Sequence, residues 1–269
     1  MANISATIHP SSLGFRTRIE VIIPQFPVPI VSKDSPFYFE PLPKADKILY
    51  LLHGLSDDVT AWNRHTSIHA YAEEKGYVVI MPEVHRSFYS DMEHGSQYFT
   101  YVTEELPKIC EELFNIKHER DKTFVAGLSM GGYGAIKCGL SRPDFYAACA
   151  GFSGALDVNQ RLFTIAEQGW FRELYAIIEK GTPLPENLDL FRLSEKMSKL
   201  PIDEQARVFA TCGDNDHLVE DNRKFDAHMK TLSVDFEYKE WAGVHDWKFW
   251  EDSLLLAFDF FEKTHCSTT

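Results

Sequence analysis

The run Thr123-Phe124-Val125-Ala126 ends on Gly127-Leu128-Ser129-Met130-Gly131, and a small-residue segment, Gly132-Tyr133-Gly134-Ala135-Ile136-Lys137, follows it. The apolar, β-branched run reads as a buried strand, and the small-residue segment as the start of a helix. Between them stands a serine in a G-x-S-x-G box. A turn this sharp strains the serine backbone, so its neighbours must lack bulk, and glycine on both flanks supplies that. The hydroxyl is then presented above the sheet edge, at the N-terminal end of a helix whose amides favour negative charge. The bland alternative is a glycine-rich turn whose serine only caps the helix. The rest of the chain decides between the two.

The remaining elements alternate in the order expected of a covered parallel sheet. Phe15–Pro24 reads as an early strand ended by proline, and the segment after it, with Pro27, Pro29, Pro36, Pro41 and Pro43, as extended and irregular. Lys47–Leu52 is a continuous apolar run, as expected of a strand buried on both faces. A helix is expected over Ala61–Lys75, stopped by Gly76, and a second buried strand over Tyr77–Met81. Glu83–Tyr98 is polar, aromatic and unperiodic, hence a loop, and Tyr101–Phe114 has helical spacing. After the helix from Gly131 to about Ser141, a strand is expected within Phe145–Phe152. The stretch 155–201 breaks the rhythm and carries Trp170, Phe171, Tyr175 and Phe191. It reads as a cap over one end of the sheet, with an ordinary peripheral helix pair as the alternative. Strands at Ala206–Cys212 and Asp235–Trp241 resume the sheet, with helices at Val219–Leu232 and Trp247–Glu262. The whole chain, 1–269, is expected to form one α/β domain.

Composition narrows the partners. A formal charge of −13 argues against binding nucleic acid or anionic membrane by bulk electrostatics. No apolar run reaches the length of a membrane span. The first ten residues lack the basic-then-apolar pattern of a secretory signal. Cys110, Cys138, Cys149, Cys212 and Cys266 are odd in number and show no CxxC spacing, which fits reduced thiols and a cytoplasmic location. Homo-oligomerisation is left open.

A nucleophilic serine needs a base, an acid that orients the base, and donors for the oxyanion. In open α/β sheets these come from loops at the carboxyl ends of strands. Among eleven histidines, His53, His85 and His245 lie close after expected strands. His245 is downstream of the serine, as the order Ser…Asp/Glu…His requires, and is the candidate base. Its alternative is a helix-start histidine packing near Trp247 and Trp250. For the acid, Cys212-Gly213-Asp214-Asn215-Asp216 offers two carboxylates. Asp216 is preferred because it lies nearer the turn into the next helix; Asp214 is the runner-up, with a turn role as its alternative. Asp246, adjacent to His245, points elsewhere on any extended backbone. One oxyanion amide is expected from Met130 and the other from Leu55, in the loop His53-Gly54-Leu55, with His53 holding that loop. Competing motifs fail: no Lys-Ser/Thr pair follows the glycines, the dinucleotide fingerprint lacks its third glycine, and no HExxH occurs. Neither metal nor cofactor is implied.

Five segments carry a resemblance to a known family: Leu51–Leu55, Ala126–Gly134, Phe152–Leu156, Cys212–Asp216 and Gly243–Trp247. On these the chain resembles the esterase D-like branch of the α/β-hydrolases. It is most similar to the small bacterial tributyrin-type esterases, relatives of S-formylglutathione hydrolases and of acetylxylan and feruloyl (cinnamoyl) esterases of carbohydrate esterase family 1. The resemblance runs from roughly Ile48 to Phe260. It implies an α/β-hydrolase fold, with a mostly parallel central sheet, flanking helices and a cap insertion. It also implies Ser129 as nucleophile, Asp216 as acid, His245 as base, and Leu55 and Met130 as oxyanion amides. The implied reaction is hydrolysis of short-chain acyl esters of small-molecule substrates. Alternatives are acyl release from plant cell-wall fragments, S-formylglutathione hydrolysis, and, from another class, a catalytically silent binding module. A silent member would typically lack the serine or the histidine, and here both are present. Phe88, Tyr98 and Trp170 are expected near the substrate from their positions in the aromatic loop and the cap.

Overall fold

The computed structural model describes residues 1–24, 45–158, 166–167, 169, 173–179 and 182–263. Among the described residues, eight strands form one sheet: β1 Ala2–Ile8, β2 Thr17–Ile23, β3 Lys47–Leu52, β4 Tyr77–Pro82, β5 Thr123–Leu128, β6 Ala148–Phe152, β7 Arg207–Gly213 and β8 Phe236–Trp241. Their spatial order is β1-β2-β4-β3-β5-β6-β7-β8. The pairs β1/β2 and β2/β4 are antiparallel, and the remaining pairs parallel. Strands β3 to β8 therefore all end on one edge, and the loops that follow them gather there.

The central strands read as continuous apolar runs because both faces are covered. Along β3, Ile48, Tyr50 and Leu52 enter one core, while Leu49 and Leu51 enter the other. The first core is closed by α3 (Leu106–Phe114), α4 (Met130–Ser141), α5 (Leu190–Met197) and α6 (Val219–Met229). The second is closed by α1 (Ala61–His65), α2 (Ile68–Lys75) and the closing helix α7 (Trp247–Phe261), which supplies Phe249, Leu254, Phe258 and Phe261.

Three local departures from the sequence expectation have visible causes. The single helix expected over Ala61–Lys75 is two helices. The Thr66 hydroxyl donates to the Trp62 carbonyl at 2.7 Å, and the Thr66 backbone is extended (φ −135°). The helix expected from Tyr101 begins at Tyr98 and passes through a π-helical stretch, Tyr101–Glu105, before α3. Pro107 stands at the start of α3 and has no N–H to give the Thr103 carbonyl, which instead accepts from Arg142 at 3.4 Å. Finally, β1 was not expected. Its alternation of Ile4, Ala6 and Ile8 with Asn3, Ser5 and Thr7 is regular but weakly apolar, as suits a strand on the sheet edge.

Of the stretch expected to form a cap, the described residues include a short helix, Leu174–Ile177, and α5. Asp189 caps α5 by accepting from the Phe191 amide at 3.0 Å. The Tyr133 hydroxyl donates to the Leu188 carbonyl at 2.8 Å, which ties this stretch to α4. Trp170 and Phe171 lie outside the described residues, as does Cys266. Cys110, Cys138, Cys149 and Cys212 are buried free thiols. Among the described residues no helix is long and apolar enough to cross a membrane.

Candidate active site

Ser129 stands between β5 and α4 with φ 54° and ψ −116°, a left-handed backbone that a side-chain-bearing residue adopts only under constraint. The constraint is visible. Its amide donates to the Phe152 carbonyl at 2.8 Å, and its own carbonyl accepts from Tyr133 (3.1 Å) and Ala155 (3.2 Å). Gly131 allows the turn to seat: a Cβ there would lie 2.4 Å from the Leu52 carbonyl oxygen and 2.7 Å from that of His53. The end of β3 thus presses directly against the start of α4.

That contact brings the loop that carries Leu55 against the start of the helix that carries Met130, the two residues expected to supply oxyanion donors. Met130 is the first residue of α4 and is buried. Gly54 lies beside the serine, since a Cβ on it would stand 3.7 Å from Ser129 Cβ. Side chains pin the backbone leading to Leu55. The Trp62 indole N–H donates to the Leu52 carbonyl (3.1 Å), the Tyr89 hydroxyl to the His53 carbonyl (2.9 Å), and His53 Nδ1 to the Gly54 carbonyl (2.8 Å). The Gly54 C=O and the Leu55 N–H share one planar trans peptide. Fixing the carbonyl on one side fixes the direction of the amide on the other.

His53 is buried and therefore needs partners of its own. Its Nε2 lies 3.2 Å from the Val84 amide nitrogen and 3.2 Å from Glu83 Oε1. Glu83 also accepts from the amides of Val59 (3.0 Å) and His85 (2.8 Å). Burial alone would raise the Glu83 carboxyl. The His53 imidazole and the two amides outweigh burial and hold it down to about 2. The folded value thus lies below the ordinary 4.5. The stability it lends is fully present above that value and is lost as pH falls through the folded one. Glu83→Gln should flatten the acid limb of a Tm-against-pH curve between pH 5 and 2. The expected difference is on the order of 2 kcal/mol once solvent screening is allowed for. An unchanged limb would show that this carboxylate is not anchored as described.

His245 and Asp216 meet at the same edge, on the loops after β8 and β7. His245 Nδ1 lies 2.8 Å from Asp216 Oδ2, and Asp216 Oδ1 accepts from the Leu218 amide at 2.8 Å. The Asp216 side chain is fully buried, which raises its proton affinity. The hydrogen bonds from His245 and Leu218 outweigh that and hold the carboxyl below the usual carboxylate range. An ionised carboxylate can only accept, so His245 Nδ1 carries a proton, and in the neutral imidazole the lone pair is then on Nε2. The Ser153 hydroxyl, buried on a residue with φ 45°, faces Asp216 and Cys212 without a strict hydrogen bond to either. His217 packs beside His245, ring centroids 4.4 Å apart, and Trp250 meets the same ring at 4.9 Å.

The two rejected carboxylates have other work. Asp214 Oδ1 accepts from the Gly243 amide at 3.1 Å and from Asn215 Nδ2 at 2.7 Å. With Asp214 N donating to Trp241 O and Asn215 N to Gly243 O, both at 3.0 Å, it binds the β7 loop to the β8 loop. Asp246 caps α7 by accepting from the Phe249 amide at 2.9 Å. His85 is exposed on a residue with φ 52°, its Nδ1 3.5 Å from Glu83 Oε1. Phe88 and Tyr98 are buried, the first packed on Tyr133 at 5.5 Å and the second on His85 at 6.4 Å. Trp170, the third expected substrate neighbour, lies outside the described residues. Sequence reasoning passed over Glu83 and Lys137; it placed Trp62 only in a helix, and Tyr89 in the aromatic loop near the substrate, whereas the Tyr89 hydroxyl bonds the His53 carbonyl. For Glu83 a signal existed, a lone carboxylate immediately after a buried strand.

Known proteins resemble the chain along nearly its whole length. A family model described as a putative esterase matches residues 36–261. An acetyl esterase of Caldicellulosiruptor saccharolyticus is 28% identical over 273 residues, covering 98% of this chain and 99% of its own length. Among solved structures, a fluorophosphonate-binding serine hydrolase of Staphylococcus aureus is 30% identical, with a TM-score of 0.81 over 98% of this chain and 99% of that one. An S-formylglutathione hydrolase of the same organism is also 30% identical, with a TM-score of 0.76 over 97% and 98%. A ferulic acid esterase, at 20% identity and a TM-score of 0.70 over 97% of both chains, shares the fold.

Proposed function

The chain belongs to the esterase family and is a carboxylic-ester hydrolase of the α/β-hydrolase fold; from that premise we propose that Ser129, His245 and Asp216 hydrolyse short-chain acyl esters through an acyl-enzyme. The observation that carries the residue assignment is the 2.8 Å contact between His245 Nδ1 and a buried, ionised Asp216. It leaves Nε2 as the basic nitrogen at the edge where the strained Ser129 is presented.

In this reading His245 Nε2 takes the Ser129 proton as Oγ attacks the acyl carbon. The Leu55 and Met130 amides hold the oxyanion that forms. His245 then gives the proton to the leaving alkoxide, and the acyl group stays on Ser129. Water, deprotonated by the same imidazole, attacks the acyl-enzyme and releases the acid. Asp216 keeps the tautomer and stabilises the imidazolium throughout. Phe88 and Tyr98, in the loop after β4, are taken to shape the acyl side.

The acetyl esterase relative supports acetyl and similarly short acyl groups. A second reading, hydrolysis of the S-formylglutathione thioester, is supported by the neighbour at 30% identity. A panel of p-nitrophenyl acetate, p-nitrophenyl butyrate, S-formylglutathione and methyl ferulate separates the readings by kcat/KM. Turnover of the acetyl and butyryl esters above the other two is expected, and preference for the thioester would favour the second reading. A fluorophosphonate probe should modify Ser129 alone, and peptide mapping to another residue would sink the assignment.

A further inference from the structure

The loop after β4 and the helix α4 that packs on it carry features that ester hydrolysis does not by itself require. Phe88 and Tyr89 carry side chains yet have φ 51° and 49°. Tyr89 is fully buried. Lys137, about two turns into the helix that begins beside the nucleophile, is buried as well. Each costs free energy, and such costs persist where surrounding groups over-determine the geometry.

Those surrounding groups converge on one side chain. Lys137 Nζ donates to the Tyr89 carbonyl (3.1 Å) and to Ser90 Oγ (2.9 Å). Among the described residues no carboxylate lies within ion-pair distance of that ammonium. It instead sits over the Phe99 ring at 4.7 Å, and burial pushes it down to about 8. The Ser87 hydroxyl accepts from the Tyr89 amide at 3.2 Å, and the Ser90 hydroxyl donates to the Phe88 carbonyl at 2.8 Å. The Tyr89 ring lies flush on the nucleophile helix, where a Cβ on Gly134 would stand 2.4 Å from its Cδ2. At the far end the Tyr89 hydroxyl donates to the His53 carbonyl at 2.9 Å.

We propose that Tyr89, gripped by Lys137, is a positioning residue that holds the Leu55 amide in register with the Met130 amide. The two amides come from separate pieces of chain, Met130 from α4 and Leu55 from the loop after β3. Lys137 and Gly134 belong to α4, and the His53 carbonyl begins the loop. Tyr89 joins them through one rigid ring, whose two torsions are set by packing. The His53–Gly54 peptide is held by Tyr89, and the Gly54–Leu55 peptide by the His53 side chain, so successive peptide planes are locked up to the donor. An oxyanion hole works because its donors are in place before charge develops.

This inference rests on the ester-hydrolase reading with Leu55 and Met130 as donors. It is tested with full-length wild type, Tyr89→Phe and Lys137→Met. The readouts are kcat and KM for p-nitrophenyl acetate, Ki for a trifluoromethyl ketone whose serine adduct places an oxyanion in the hole, and Tm. Removing one direct donor costs about 10²–10³ in kcat, so loosening one through a neighbour is expected to cost about tenfold. Tyr89→Phe should therefore lower kcat about tenfold and raise the ketone Ki by the same factor, while KM stays within about twofold. Lys137→Met should move both constants in the same direction. A structural role alone would lower Tm without this matched change. If Tyr89→Phe keeps kcat and Ki within about twofold of wild type, or if neither variant folds, the proposal is overturned. Wild type without ester turnover and without Ser129 labelling would overturn the ester-hydrolase reading as well, whereas an active wild type with an indifferent Tyr89→Phe overturns this inference alone.

Discussion

Ser129→Ala is expected to lower kcat for p-nitrophenyl acetate on the order of 10⁶-fold, by the precedent of triads whose serine is removed. The large figure follows from chemistry. No acyl-enzyme forms without Oγ, and the remaining oxyanion donors assist only a direct attack by water. The fold should survive. The Ser129 backbone bonds to Phe152, Tyr133 and Ala155 involve N–H and C=O groups that alanine retains. Alanine also lacks the bulk to disturb the close contact of Gly131 with the Leu52 and His53 carbonyls. Far-UV circular dichroism and Tm close to wild type, with turnover gone, is the expected pair of results. Residual kcat within about a hundredfold of wild type would show that another residue carries the chemistry.

The second large effect separates two carboxylates two positions apart. Asp216→Asn is expected to lower kcat about 10⁴-fold, because the amide can no longer hold His245 in the tautomer that leaves Nε2 basic. Nor can it stabilise the imidazolium. Asp214→Asn should change kcat less than about tenfold. Its side-chain oxygen still accepts from the Gly243 amide, and a single hydrogen bond of this kind is worth about 1 kcal/mol. Both substitutions are nearly isosteric, so neither result can be ascribed to altered packing. Measuring kcat and KM for the pair at fixed pH gives the answer, and equal losses would mean that the bond from His245 Nδ1 to Asp216 is not what orders the base.

The sheet was largely legible because its signals are local. Continuous apolar runs such as Leu49–Leu52 and Val78–Met81 occur where a strand is buried on both faces, and both cores bear this out. The strand-serine-helix turn was legible because only residues without bulk fit beside it. Breaks and extensions were less so. The helix break at Thr66 rests on a side-chain bond to the Trp62 carbonyl, and the π-helical stretch before Pro107 on a carbonyl satisfied by the distant Arg142; neither shows in the apolar pattern. The edge strand β1 hid behind weak alternation, because an edge needs only one apolar face.

The sequence by itself determined the Ser129 turn, the loops that could supply its partners, and the order in which they arrive. Those features are set by steric limits on a few adjacent residues and by the rule that parallel strands end on one edge. What each group on that edge bonds to was decided by the tertiary structure. Asp214 and Asp216 are the same residue type, two positions apart, and both follow β7. What separates them is that one meets the Gly243 amide and the other the His245 imidazole across the β7–β8 pair. The brace from Lys137 through Tyr89 to the His53 carbonyl was equally out of reach. It links residues 48 and 36 positions apart and depends on a side-chain-bearing residue at φ 49°, a conformation that no local pattern announces and that only the surrounding contacts make stable.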